Sequence, residues 1–312
     1  VAMVSSIATA AFADTYDLNT GSVTVETKAN GITYVTQKDD KQVDGFARNK
    51  NNEILNEHPD DTGVTITSDG RQTSNTITVE TAKDQTTDVT LDKVHIEVDT
   101  AKTKSGAIEI KGDGDTNLEL NGNNTVLVKN DWEEEHAAIE KADTYGKGTL
   151  TIKDDLNDDN TPKDKDENGN AVGGDTGKLV AGGYHDAAAI GGGGTDDTAC
   201  TSNITITGGE ITANGGTYGA GIGGGYSGDA SNIRIEGNAD VTAFGDSGAA
   251  IGSSYHARGN SDITITDHAT VTAASLDACA IGGGQDADGK VTVTISGHAS
   301  VNAQTRTPPA AI

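Results

Sequence analysis

The feature that most constrains this chain is a phrase repeated from Ala187 to Ile312. It runs AAIGGG (188–193), NITITGGEITA (203–213), GAGIGGG (219–225), NIRIEGNADVTA (232–243), AAIGSS (249–254), DITITDHATVTA (262–273), ACAIGGG (278–284) and VTISGHASVNA (293–303). Ile204, Ile233, Ile263 and Val293 are 29, 30 and 30 residues apart. Ile211, Val241, Val271 and Val301 are 30 apart each time, and Ile190, Ile222, Ile251, Ile281 and Ile312 step by 32, 29, 30 and 31. A fixed period of this size specifies stacked units, each burying its apolar face against its neighbours.

Within one unit, Ile204-Thr205-Ile206-Thr207 alternates apolar and polar residues with the period of a strand that has one buried face. Ile211-Thr212-Ala213 alternates again after a short turn, and Ala220-Gly221-Ile222 adds a third piece. No segment here has helical periodicity over a helix's length. The expectation is all-β: a right-handed parallel β-helix solenoid with three short strands per coil of about 30 residues, carrying an irregular N-terminal β cap. Stacking also explains a composition of 33% hydrophobic and 4% aromatic residues with 41 glycines, which in a chain without repeats would indicate disorder.

Earlier coils are less regular but follow the same plan. Val64–Ile66 with Asn75–Val79 reads as one. Asp88–Leu91, Val94–Val98 and Ala107-Ile108 form the next, and Asn117–Leu120, Val126–Val128 and Ala138-Ile139 a third. Leu150–Ile152, Leu179–Ala181 and Ala189-Ile190 form a fourth. The division is residues 1–13 as a signal peptide whose start is missing, ending in Ala11-Phe12-Ala13, 14–62 as the cap, and 63–312 as the solenoid. Ile312 falls where a glycine turn should follow, so the C-terminal end is expected to be truncated. Ile139 to Ile190 spans 51 residues, an excess that places an acidic loop at 154–177 outside the stack.

A net charge of −26 with scattered basic residues argues against nucleic acid and against an anionic membrane surface. No run of 18 apolar residues is present, so no membrane insertion is expected. Cys279 takes the inward place of Ala188, Ala220 and Ala249, whereas Cys200 precedes its strand. Lying two or more coils apart, they are expected to be free thiols.

Three groups of residues invite a chemical reading. In the acidic loop, Asp164, Asp166, Asn168 and Gly169 have the alternating oxygen donors and turn glycine of a calcium loop, with Asn170 offering a carbonyl and Asp175 at the twelfth position. Ca²⁺ binding and a merely solvated loop both fit that pattern. Tyr226 and Tyr255 sit four residues past Ile222 and Ile251, so successive coils place two aromatic rings on one face, a platform for sugar rings or a plain surface stack. Trp132, in Asp131–His136, is a second sugar contact or packs over a coil edge. His268 and His298, with Asn238 in the same column, read as a polar ladder rather than a metal pair. The glycine runs resemble phosphate loops only in composition, because no helix follows them; their recurrence points to positive-φ turns.

The A-x-Ile-Gly-Gly-Gly, Asn-Ile-Thr-Ile and Val-Thr-Ala phrases resemble the glycine-rich repeats of large cell-surface proteins of Gram-positive bacteria, a family labelled carbohydrate-binding or β-helix surface protein. The resemblance covers about Gly63 to Ile312 and implies secretion, a right-handed β-helix and a role at the cell envelope. The functional expectation is a secreted, extracellular or wall-associated monomer that binds polysaccharide or host and envelope glycans through its outer face. A polysaccharide lyase or hydrolase and a non-binding spacer are the alternatives. The near-identical coils show no converging set of carboxylates, so no catalytic residue is assigned and a non-enzyme is expected.

Overall fold

The computed structural model describes residues 14–38, 53–58, 63–129, 135–154, 176–195 and 197–306. Within them the chain winds through three sheets, visited in a fixed order on every turn. Sheet 1 has nine strands, from Asp14–Asp17 to Val291–Ile295, and sheet 2 has eight, from Gln72–Thr73 to Ser300–Thr305. Sheet 3 has ten, of which Val23–Thr27 through Ile281–Gly282 belong to the coils. Seven complete three-strand coils result, the first at 64–81 and the last at 261–282. The one helix among the described residues is a single turn, Thr100–Thr103.

The register is the one the period requires. Ile204 pairs with Ile233, Ile233 with Ile263 and Ile263 with Val293, all parallel. Ile211, Val241, Val271 and Val301 form the matching column of sheet 2. Ile108, Ile139, Ile190, Ile222, Ile251 and Ile281 form that of sheet 3. These side chains point inward and, in all but the outermost coil, are essentially inaccessible to water. Burying each Val or Ile is worth about 1.5–3 kcal/mol, and each contact is shared with the coil above and below.

From Ile190 onward, the glycine after each sheet 3 isoleucine is a structural requirement. Gly191, Gly223, Gly252 and Gly282 have φ of 135°, 142°, 137° and 140°, which side-chain-bearing residues rarely adopt. A Cβ on Gly223 would also strike the carbonyl oxygen of Gly252 in the next coil. The recurrent glycines thus set the turn and permit close stacking.

The stack reaches further toward the N terminus than a boundary at Gly63. Asp14–Asp17 pairs in parallel with Val64–Thr67, and Val23–Thr27 with Ile77–Thr81, so part of the 14–62 segment is itself a rung. Strands Thr33–Lys38 and Glu53–His58 then add antiparallel to sheet 3 and cover its first edge. At this end a chain of threonine hydroxyls replaces aliphatic contact: Thr87 donates to Thr27 at 2.7 Å, Thr81 lies 2.7 Å from Thr87, and Thr116 lies 3.1 Å from Thr81. Strand Leu150–Asp154 ends and strand Lys178–Gly182 begins on either side of the acidic segment, with Gly177 N–H donating to Asp154 Oδ1 at 3.1 Å. The signal-peptide reading of residues 1–13 lies outside the described residues.

One cation is enclosed by this architecture. Lys141 is 2% exposed and its ammonium donates to the Gly146 carbonyl at 3.2 Å. Burial lowers its pKa below the usual lysine value, against the pull of Asp143. A depressed lysine pKa means that the unfolded chain binds the proton more tightly, so stability increases as pH rises toward 10.5.

Two measurements follow from this packing. Val241→Ala and Val301→Ala alter one column, but Val241 is inaccessible while Val301 lies in the outermost coil. We expect thermal unfolding to show a loss of about 1.5–3 kcal/mol for Val241→Ala and under about 1 kcal/mol for Val301→Ala; equal losses would contradict the stack. Lys141→Met should raise Tm near neutral pH, with the gain shrinking as pH approaches 10.5. A gain independent of pH would show that the ammonium is not the cause.

Candidate functional site

The outer turns on either side of the short sheet 3 strands are the place where the coils stop being alike. Each coil contributes one residue four before its inward isoleucine and one four after it. A repeated backbone bond holds these positions together. Gly194 N–H donates to Glu135 O at 2.7 Å, Tyr226 N–H to Asp186 O at 2.7 Å, Tyr255 N–H to Tyr218 O at 3.1 Å, and Gln285 N–H to Ser247 O at 2.8 Å. Two adjacent columns result, Glu135–Asp186–Tyr218–Ser247 and Gly194–Tyr226–Tyr255–Gln285. Their side chains lie outside the isoleucine core, so their identities are set by what the surface does rather than by packing.

The middle of these columns is aromatic. Tyr226 and Tyr255, expected together from their spacing, have ring centroids 5.9 Å apart and tilted by 39°. Tyr218 joins them, 6.0 Å from Tyr226 in an edge-on arrangement and 5.1 Å from Tyr255. His256 stacks on Tyr255 at 3.9 Å, and His185 meets Tyr218 edge-on at 5.4 Å. The tyrosines are half-buried, each with part of its ring facing outward. Tyr218 has Asp186 and Ser247 as its equivalents in the neighbouring coils, so no recurrence of aromatic residues marks its position in the sequence.

Toward the N-terminal coils the same columns turn acidic. Glu135 Oε1 lies 3.0 Å from His185 Nδ1, which lies 2.8 Å from Asp186 Oδ1. His136 Nδ1 lies 3.0 Å from Glu140 Oε2, and the three donors of Glu109, His136 and Glu140 fall within 4.8 Å of one another. Glu140 is fully enclosed; besides His136 it accepts the Ala137 N–H at 2.9 Å. Glu109 has the Lys111 ammonium 2.8 Å away. Burial, and then the charge of Glu140, push the Tyr145 phenol far above its ordinary range, keeping it a proton donor. These acids and histidines are spread over 109–186, so only the coil register brings them together.

Other expected features fall as follows. Trp132 and the calcium set Asp164, Asp166, Asn168, Asn170 and Asp175 lie outside the described residues. His268 and His298 form a ladder, their rings 5.0 Å apart and 3° from parallel. Cys200 and Cys279 are unbonded and half-buried, and burial raises the Cys200 thiol pKa. No helix among the described residues is long and apolar enough to cross a membrane.

A family model described as a beta helix repeat matches residues 204–226, 233–255 and 263–285. Each match begins on an inward isoleucine of sheet 1 and ends on the column of Tyr226, Tyr255 and Gln285. No curated protein and no solved structure matches the chain. With three successive matches in register with coils that continue on both sides of them, the chain is a parallel β-helix protein carrying β-helix repeats.

Proposed function

We propose that this chain is a secreted or cell-surface binding protein whose β-helix presents the Tyr218–Tyr226–Tyr255 row to carbohydrate. The observation that carries the reading is that row itself: three tyrosines from the outer turns of two adjacent coils converge where the core imposes no aromatic residue. Flat aromatic rings accept the apolar faces of sugars, and their hydroxyls serve as donors or acceptors at the rim. A chain of net charge −26 repels polyanions, so a neutral polysaccharide or a neutral glycan of a host or envelope surface is the favoured partner. The resemblance to glycine-rich surface repeats supports the extracellular setting, and the solenoid supplies a rigid support from which the row projects.

β-Helix repeats occur in both enzymes and non-enzymes. The row itself offers flat rings and no acid–base pair, which favours binding over turnover there; contrary to the expectation from the repeats, carboxylates do converge beside it, at Glu135–Asp186 and at Glu109–Glu140. The acidic loop has a separate part in the proposal: Asp164, Asp166, Asn168, Asn170 and Asp175 are the oxygen donors for Ca²⁺.

A panel of immobilised neutral and acidic glycans tests the binding reading. The chain should be retained on at least one neutral glycan, and Tyr218→Ala, Tyr226→Ala or Tyr255→Ala should each weaken retention by roughly 5- to 30-fold without lowering Tm much. Absence of retention on every glycan would favour a spacer, and release of reducing or unsaturated sugar would move the chain among the enzymes. For the loop, Ca²⁺ should raise Tm in the wild type but not in Asp164→Ala/Asp166→Ala. A melt that excess EDTA leaves unchanged would contradict the calcium assignment.

A further inference from the structure

Two histidine–carboxylate groups lie on the N-terminal side of the tyrosine row, and they differ in how far the protein satisfies them. In Glu109–His136–Glu140 every acid has a partner of its own: the imidazole and a backbone N–H for Glu140, and the Lys111 ammonium for Glu109. This trio is a closed ionic network inside the turn. In Glu135–His185–Asp186 the balance does not close. One nitrogen, His185 Nδ1, faces two carboxylate oxygens, Glu135 Oε1 at 3.0 Å and Asp186 Oδ1 at 2.8 Å. An imidazole nitrogen carries at most one hydrogen, and it is engaged with Glu135. Asp186 Oδ1 is left buried with no hydrogen-bond partner, a costly state for a carboxylate oxygen.

The space around these atoms is kept open by a glycine. A Cβ on Gly194 would lie 2.6 Å from Glu135 Oε2 and 2.7 Å from Asp186 Cβ. Gly194 also occupies the position that Tyr226 and Tyr255 fill in the following coils, so the tyrosine column gives way to a gap where the acids begin.

We propose that Glu135, His185 and Asp186 form a binding site for one divalent transition-metal ion of the Zn²⁺ or Mn²⁺ kind. Their three donor atoms lie within 4.8 Å of one another, and the two closest pairs are 2.8 and 3.0 Å apart. Neighbouring ligands on an ion with bonds of about 2.1 Å are separated by about 3.0–3.4 Å, so small outward shifts accommodate the metal. One imidazole with two carboxylates suits Zn²⁺ or Mn²⁺ better than the all-oxygen sets preferred by Ca²⁺ and Mg²⁺. The ion replaces the Nδ1 proton, meets the orphaned Asp186 oxygen, and sits at the end of the tyrosine row with coordination positions left for an outside donor. The site does not depend on glycan binding; a chain that retained no sugar would still hold the ion.

The test is calorimetric titration of the EDTA-treated and dialysed chain with Zn²⁺ and with Mn²⁺, in excess Ca²⁺ so that the acidic loop does not compete. One saturable site per chain is expected for at least one of the two ions. His185→Gln and Asp186→Asn should each lower its affinity at least about 10-fold. Gly194→Ala, which removes no donor atom, should also lower it by crowding Glu135. His268→Ala, in the distant histidine ladder, should leave it unchanged, and circular dichroism melts confirm that each variant is folded. The proposal is overturned if neither ion binds saturably, or if binding survives in folded His185→Gln and Asp186→Asn chains.

Discussion

Everything in this molecule depends on parallel hydrogen bonding between successive coils, which locks like residues above one another. Once Ile204 sits on Ile233 and Ile233 on Ile263, alternation along each strand sends every second side chain inward and the rest outward. A slip of one residue would turn the aliphatic columns to solvent, and that penalty recurs in every coil. The same register brings the outer turns to a fixed spacing. A surface column is therefore a property of the backbone, while its chemistry is free to vary.

The turns show how that freedom is used. The bond from the residue four past one isoleucine to the residue four before the preceding coil's isoleucine recurs from Glu135 to Gln285, whatever side chains those positions carry. On that constant frame the side chains change from acids and histidines to tyrosines and then to Ser247 and Gln285. Glycine contributes in two ways: Gly223 and its equivalents adopt a backbone conformation closed to other residues, while Gly194 leaves room for Glu135 and Asp186. Among the described residues, buried charge gathers in the same region, at Glu109, Glu135, Glu140 and Lys141, on and beside the short sheet 3 strands and outside the aliphatic columns.

The coils from Val64 onward were legible in the chain because their inward residues recur at nearly constant spacing, and the excursion at 154–177 was legible because it breaks that spacing. The first rung was not, since Val23–Thr27 stacks on Ile77–Thr81 across about fifty intervening residues and lacks a sheet 2 strand. Tyr226 and Tyr255 were visible as equivalents. Tyr218 was not, because its column reads Glu, Asp, Tyr, Ser and has no type in common. For the same reason Glu135, His185 and Asp186 meet only once the coils are stacked, with 50 residues between the first two. Repetition reveals the scaffold and conceals the positions that depart from it.

The most direct measurement of the stacking is a set of distances along one outward column. His95, Thr125, Val180, Thr212, Thr242, Thr272 and Asn302 lie on consecutive strands of sheet 2. In a Cys200→Ser/Cys279→Ala background, nitroxide labels at position 95 paired in turn with 242, 272 and 302 can be read by pulsed electron–electron resonance. With strands about 4.8 Å apart the separations should be near 19, 24 and 29 Å, each step adding one inter-strand spacing. Separations that do not increase by that step, or distributions too broad to order, would contradict a register-locked stack.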